Sequence, residues 1–180
     1  AKNLRLHAGN RFRQALSLDA GNANAWWGMA RMCTAPISEI EELDKAEEYL
    51  AKAVAADPQH YDALVFLGAC RIKLRKYQEA ETSRAPALNL RDSPIVRYNL
   101  GIALLRQQKP APALAEFRRA AQGPGAIPAA HLAIVECYVA QKDFLKAREA
   151  FQEAQARGAV PDEHGRRILN LINDGLEATR

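Results

Sequence analysis

The sequence predicts an all-α fold of antiparallel helix pairs stacked as a solenoid, with one further capping helix at its C-terminal end. Three observations predict it. A cassette of the form Ala-x3-aromatic/Leu-x2-Ala recurs as Ala8-Phe12-Ala15, Ala46-Leu50-Ala53, Ala80-Arg84-Ala87, Ala113-Phe117-Ala120 and Ala147-Phe151-Ala154. Between its copies lies a second cassette, as Trp26-x2-Met29-Ala30, Leu64-x2-Leu67-Gly68, Arg97-x2-Leu100-Gly101 and His131-x2-Ile134-Val135. Successive copies are offset by close to ~34 residues, the period of a helix–turn–helix repeat, and no segment alternates in the manner of a strand.

Spacings of three and four place each cassette on one stripe of a helix. Alanine and glycine at fixed points let neighbouring helices approach, and the large residue fills the gap between them. Residues 1–22 hold one cassette and read as the second helix of a truncated repeat. The chain therefore reads as a fragment, with room upstream for further repeats or a targeting segment. Residues 23–60 form a repeat with a short insertion around Thr34 to Ile40, where Ser38-x2-Glu41 reads as a capping box. Asp57-Pro58 ends its second helix. Further repeats follow at 61–93, 94–127 and 128–160. Pro94, Pro112, Pro128 and Pro161 fall where helices should begin, since the missing N–H costs nothing there. Residues 161–180 read as the capping helix, whose Ile168, Leu169 and Ile172 cover the last open face. One repeat departs from the pattern. Arg84 takes a slot held elsewhere by Phe or Leu, and Pro86 sits inside the same helix, which predicts a shortened or bent helix there.

The pieces "AWWGMARM", "ALVFLGAC", "RYNLGIAL" and "HLAIVECY" resemble the first helices of the tetratricopeptide repeat. "AEEYLAKAVAADP", "ALAEFRRAA" and "AREAFQEAQARG" resemble its second helices. The resemblance covers nearly the whole chain. It implies a right-handed superhelical solenoid with a concave surface lined mainly by first helices, used for gripping a segment of another protein.

Composition bounds the rest. Apolar residues make up 48% of the 180, enough for a real core, and 25 basic residues against 21 acidic give a net charge of +4. The basic residues are scattered, with one group at Arg71, Lys73, Arg75 and Lys76. A nucleic-acid reader usually concentrates them on one face, so nucleic acid is not the expected partner. The acidic group Glu39, Glu41, Glu42, Asp44, Glu47 and Glu48 suits the start of a helix. Cys33, Cys70 and Cys137 lie far apart in helical text with no zinc-like spacing. They read as reduced core thiols and lean towards a cytoplasmic location. His7, His60, His131 and His164 fall in different repeats or turns, where a packed or solvent-facing histidine is the common case. No run is long enough to cross a bilayer. No constellation suits catalysis, a metal or a cofactor, and none of these is expected.

Carrying the family's groove-facing slots onto this sequence gives Asn24, Trp27 and Arg31, then Asp62, Val65, Phe66, Ala69 and Lys73. The third repeat adds Ile95, Tyr98, Asn99, Ile102, Leu105 and Arg106, and the fourth adds Leu132, Glu136 and Val139. The partner-binding groove is expected at Asn24, Trp27, Arg31, Phe66, Ala69, Lys73, Tyr98, Asn99, Ile102, Arg106 and Glu136, with Trp27, Phe66 and Tyr98 as anchors. Asn99 matches one slot of the clamp by which some relatives hold acidic chaperone C-termini. The neighbouring slots hold Val65, Ala69, Ala129 and Ala133, which leaves that clamp unformed. The expected function is a non-catalytic scaffold or adaptor holding an apolar or amphipathic segment of a partner protein. The alternative is a self-assembling homo-oligomeric module within a larger bacterial complex.

Overall fold

The computed structural model describes residues 2–34, 40–158 and 163–178, and among these the chain forms ten α-helices and no strand. In chain order they are α1 (Lys2–Leu18), α2 (Ala23–Thr34), α3 (Ile40–Ala56), α4 (Tyr61–Lys73), α5 (Tyr77–Leu90), α6 (Pro94–Arg106), α7 (Pro110–Ala120), α8 (Ala129–Ala140), α9 (Phe144–Ala156) and α10 (Glu163–Glu177). They divide into two compact units, Ala1–Arg91 and Asp92–Arg180.

Helices adjacent in sequence pack together within each unit. The Ala-x3-large-x2-Ala cassettes are the reason. On α3, α5, α7 and α9 every cassette residue is at most 2% exposed. On α1 the same three positions are only partly buried, because α2 covers one side of a terminal helix. In the first unit Leu50 packs with Ala30, Leu43 and Leu67, and Trp26 stacks on Tyr49 at 5.7 Å. In the second unit Phe117 packs with Leu104, Ala130 and Cys137. In each unit a large residue lies on bare backbone of the preceding helix. A Cβ on Gly101 would stand 2.6 Å from the Phe117 ring, and a Cβ on Gly68 would stand 2.8 Å from Arg84 Nε.

Arg84 thus lies over Gly68 as Phe117 lies over Gly101, with 1% exposure. Burial brings its guanidinium down to about 9 from the ordinary 12.5. The expected shortening of this helix does not occur. Helix α5 runs unbroken from Tyr77 to Leu90 through Pro86. Pro86 withholds a hydrogen from the carbonyl of Thr82, and both residues sit on the exposed side of the helix, away from the core.

Two local expectations are corrected, and one charged group finds partners. Helix α7 opens on Pro110, and Pro112 follows within its first turn rather than starting the helix. The basic group is not a free patch. Arg71 Nε and Lys76 Nζ bind the two oxygens of Glu47 at 2.9 and 2.5 Å, which joins α3 to the end of α4. Cys70 and Cys137 are buried but Cys33 is only partly so, and none of the three is in a disulfide. Pro94 does open α6, and Pro128 immediately precedes α8. The Ser38–Glu41 capping box and Pro161 lie outside the described residues.

In the second unit Arg97 stands where the second cassette elsewhere has Trp26. It takes the Asp92 carboxylate and, at 2.8 Å, that of Glu116, and so ties the start of α6 to α7. Helix α10 is strongly amphipathic and lies on α9 and α8. Its Ile168 and Ile172 are buried against Val135, Tyr138 and Phe151, with Leu169 half-buried beside them.

Candidate functional site

In the first unit α2 and α4 bring four of the expected residues around one histidine. Trp27 meets Phe66 edge-on with ring centroids 6.3 Å apart, an arrangement the aromatic quadrupole favours. The Arg31 guanidinium, one turn along α2, lies 4.8 Å from the Trp27 ring. His60 stands 5.7 Å from the same ring. Its Nδ1 accepts from the Ala63 backbone N–H at 3.2 Å and caps α4, which leaves Nε2 to donate to Asn24 Oδ1 at 3.1 Å. Phe66 remains 39% exposed, the open edge of this cluster. The indole Nε1 of Trp27 is buried with no hydrogen-bond partner among the described residues.

Of the others on α4, Ala69 is half-buried and Lys73 exposed, one and two turns beyond Phe66. Asp62 is exposed and Val65 half-buried.

In the second unit α6, α8 and the start of α10 enclose a cavity of about 230 Å³. Tyr98, Ile102 and Leu105 form its α6 wall, Leu132 stands opposite on α8, and Phe117 contributes from α7. Arg106 and Glu136 supply its charges, and His164 reaches in from α10. Burial, with the Glu136 carboxylate nearby, pushes the Tyr98 phenol above its ordinary value, so it stays neutral. His164 Nε2 donates to Glu136 Oε1 at 2.7 Å. Arg106 is exposed and has no ion pair among the described residues. Asn99 is half-buried on α6 but does not line this cavity, and neither do Ile95 and Val139.

The sequence expects all eleven residues in a single groove; the structure brings Tyr98, Ile102, Arg106 and Glu136 to one cavity and Trp27, Phe66, Arg31 and Asn24 to one cluster. The sequence reading missed His60 and His164. Each joins its site through a partner far away in sequence, and no spacing rule signals that.

Elsewhere in the second unit a cavity of about 340 Å³ between α7, α8 and α9 is lined by charges that largely satisfy each other. Arg118 Nη2 donates to the Tyr138 hydroxyl at 2.5 Å, and Arg157 pairs with Glu153 at 3.0 Å. The buried thiols offer no nucleophile. Burial pushes Cys70 up to about 11 and Cys137 up to about 12, so both stay protonated at neutral pH. No group of three or more His, Cys, Asp or Glu among the described residues converges as a metal site would. No described helix is long and apolar enough to cross a membrane.

Comparison with known proteins adds the following. One model of the tetratricopeptide repeat matches residues 41–83, and a second matches 81–127 and 98–163. No curated protein matches the chain. Among solved structures it is similar to PilW, described as a widely conserved type IV pilus biogenesis factor. The two share 20% identity and a TM-score of 0.78 over 96% of this chain and 79% of that one. It is similar to MamA at 19% identity and a TM-score of 0.76, over 85% and 82% of the two chains. It is also similar to YrrB, described as a TPR protein with an unusual peptide-binding site, at 19% identity and a TM-score of 0.67 over 96% and 99%. At these identities the likeness concerns the fold.

Proposed function

Because the chain belongs to the tetratricopeptide repeat family, whose members are protein-interaction scaffolds and generally not catalysts, we propose that it is an adaptor holding an apolar or amphipathic segment of a partner protein. Each unit by itself offers a first-helix face for such a segment, α2 with α4 in the first and α6 with α8 in the second.

The observation that carries this reading is the cavity of the second unit. At about 230 Å³ it falls below the range of sites built for small molecules, roughly 300–1,000 Å³. Its walls are aromatic and aliphatic, which suits one large apolar side chain from a bound segment. The first-unit cluster supports the same reading. Phe66, 39% exposed beside the Trp27 ring, offers an open aromatic edge on which an apolar side chain of a bound segment can pack. The likeness in fold to YrrB, a peptide-binding repeat protein by its description, is consistent with it.

The test is capture of partners from the source cell extract by the whole chain and by a Phe66→Ser, Leu105→Ser variant. Phe66 is exposed and Leu105 half-buried, so the variant should keep its helical circular dichroism. A protein held by the native chain and lost from the variant supports the reading. Equal capture overturns it.

A further inference from the structure

We propose that the cavity between α6, α8 and α10 selects a partner segment in which an apolar anchor is flanked by an acidic side chain, with Arg106 as the reading residue and His164 as the group that makes the selection one-sided. This rests on the proposed role of the first-helix faces in holding a partner.

Charge stands at the rim of an apolar hole. The cavity is lined by two charged side chains of opposite sign, Arg106 and Glu136. If both were open, the site would be indifferent to the sign of a flanking charge. They are not equally open. Glu136 is half-buried, and its Oε1 already accepts from His164 Nε2 at 2.7 Å. Arg106 is exposed, has no ion pair among the described residues, and ends the helix whose Ile102 and Leu105 form the apolar wall. A segment that seats a leucine or phenylalanine against Tyr98 and Leu132 therefore meets an exposed guanidinium with no ion pair among the described residues, while the half-buried Glu136 has one oxygen taken by His164. A carboxylate on that segment gains a planar guanidinium with fixed donors, whereas a lysine there meets repulsion from Arg106 and a carboxylate already occupied.

Two features make His164 part of the recognition site and not only of the cap. It belongs to α10, yet it lines the cavity. Without it, Glu136 would face the bound carboxylate at the edge of the same small cavity, and like charges there cost affinity. The capping helix thus sets the sign of the partner's charge while it covers the last repeat.

The experiment is selection of a phage-displayed random peptide library on the full chain, followed by binding assays on the enriched peptides and their Glu→Gln and Glu→Lys versions. The expected consensus has one large apolar residue with Asp or Glu close by. Arg106→Glu should weaken the acidic peptides on the order of tenfold and strengthen the Lys versions. His164→Ala should weaken the acidic peptides more than their Gln versions, and adding Glu136→Gln should restore them. Enriched peptides with no acidic preference, or affinities untouched by Arg106→Glu, overturn this proposal. If those peptides are still lost on Leu132→Arg, docking on the first-helix face survives its failure. A library that yields no binder overturns both.

Discussion

A Cβ added to Gly101 would stand 2.6 Å from Cε1 of Phe117, so the aromatic ring rests directly on the backbone of α6. The ring is fully buried and flanked on its own helix by Ala113 and Ala120, also fully buried. Alanine would improve the helix by about 1 kcal/mol, but overpacking a filled core costs about 1–3 kcal/mol. The ring has nowhere to go, so overpacking wins. Gly101→Ala is expected to lower the urea midpoint with the slope unchanged, and Phe117→Leu in the same chain should recover part of the loss. Gly68→Ala should cost less, since the neighbour there is the longer and more flexible Arg84 side chain.

Arg84→Phe is expected to stabilise the protein by about 1–2 kcal/mol at neutral pH, because it replaces a buried charge by the side chain that the equivalent place on α7 accommodates. The pH dependence has a definite sign. Burial lowers the folded-state value to about 9, while the unfolded chain keeps the ordinary 12.5. Below about 9 both states are charged and the folded state bears the full desolvation cost. Above it the folded state sheds the proton first and the native chain gains stability. The melting-temperature advantage of Arg84→Phe should be largest at pH 8 and below and shrink as pH rises past 9. A constant gap would refute this account.

The helical architecture was legible in the sequence because it rests on a repeated spacing. Ala46, Leu50 and Ala53, like Ala147, Phe151 and Ala154, announce their burial by recurring at the same offsets. The pairings were not legible. Glu47 meets Arg71 and Lys76, and His164 meets Glu136, only because of where helices cross, and a single ion pair has no period to betray it. Pro86 misled about the length of α5 for a related reason. A proline forbids a hydrogen bond but does not reveal whether the orphaned carbonyl faces core or solvent, and α5 keeps Pro86 and Thr82 on its exposed side. For the candidate site, the α6 and α8 residues followed from helix spacing, while the contribution of α10 depended on how the cap folds back.

Glu47 is 12% exposed and bridges two cations from another helix and its turn. Burial alone would raise its carboxyl, but hydrogen bonds from Lys76 and Arg71 outweigh that and hold it below its ordinary value. Its contribution is therefore present above the ordinary carboxylate range and lost as pH falls through the lowered folded value. Glu47→Gln is expected to cost about 1–2 kcal/mol at neutral pH. Denaturation at pH 7 and in acid should show the difference from the native chain closing in acid.

His60→Ala removes the cap of α4 and the contact to Asn24 together, with an expected loss of about 1 kcal/mol. His60→Asn keeps an acceptor for the Ala63 N–H but is too short to span to Asn24 as well. It should recover most of the stability while leaving Trp27 less constrained. Thermal melts read the first effect, and the tryptophan emission of a Trp26→Phe background reads the second.

The contacts Gly68–Arg84 and Gly101–Phe117 each close inside one consecutive helix pair, α4 with α5 and α6 with α7. The glycine side of each lock lies wholly within its own pair, and it is the other side of Phe117 that meets Ala130 and Cys137 of the next helix. A gene encoding such a chain can gain or lose a whole pair by duplication or deletion without disturbing the fit inside the pairs that remain. The number of pairs, and with it the length of partner accommodated, is thereby open to selection separately from the integrity of each pair.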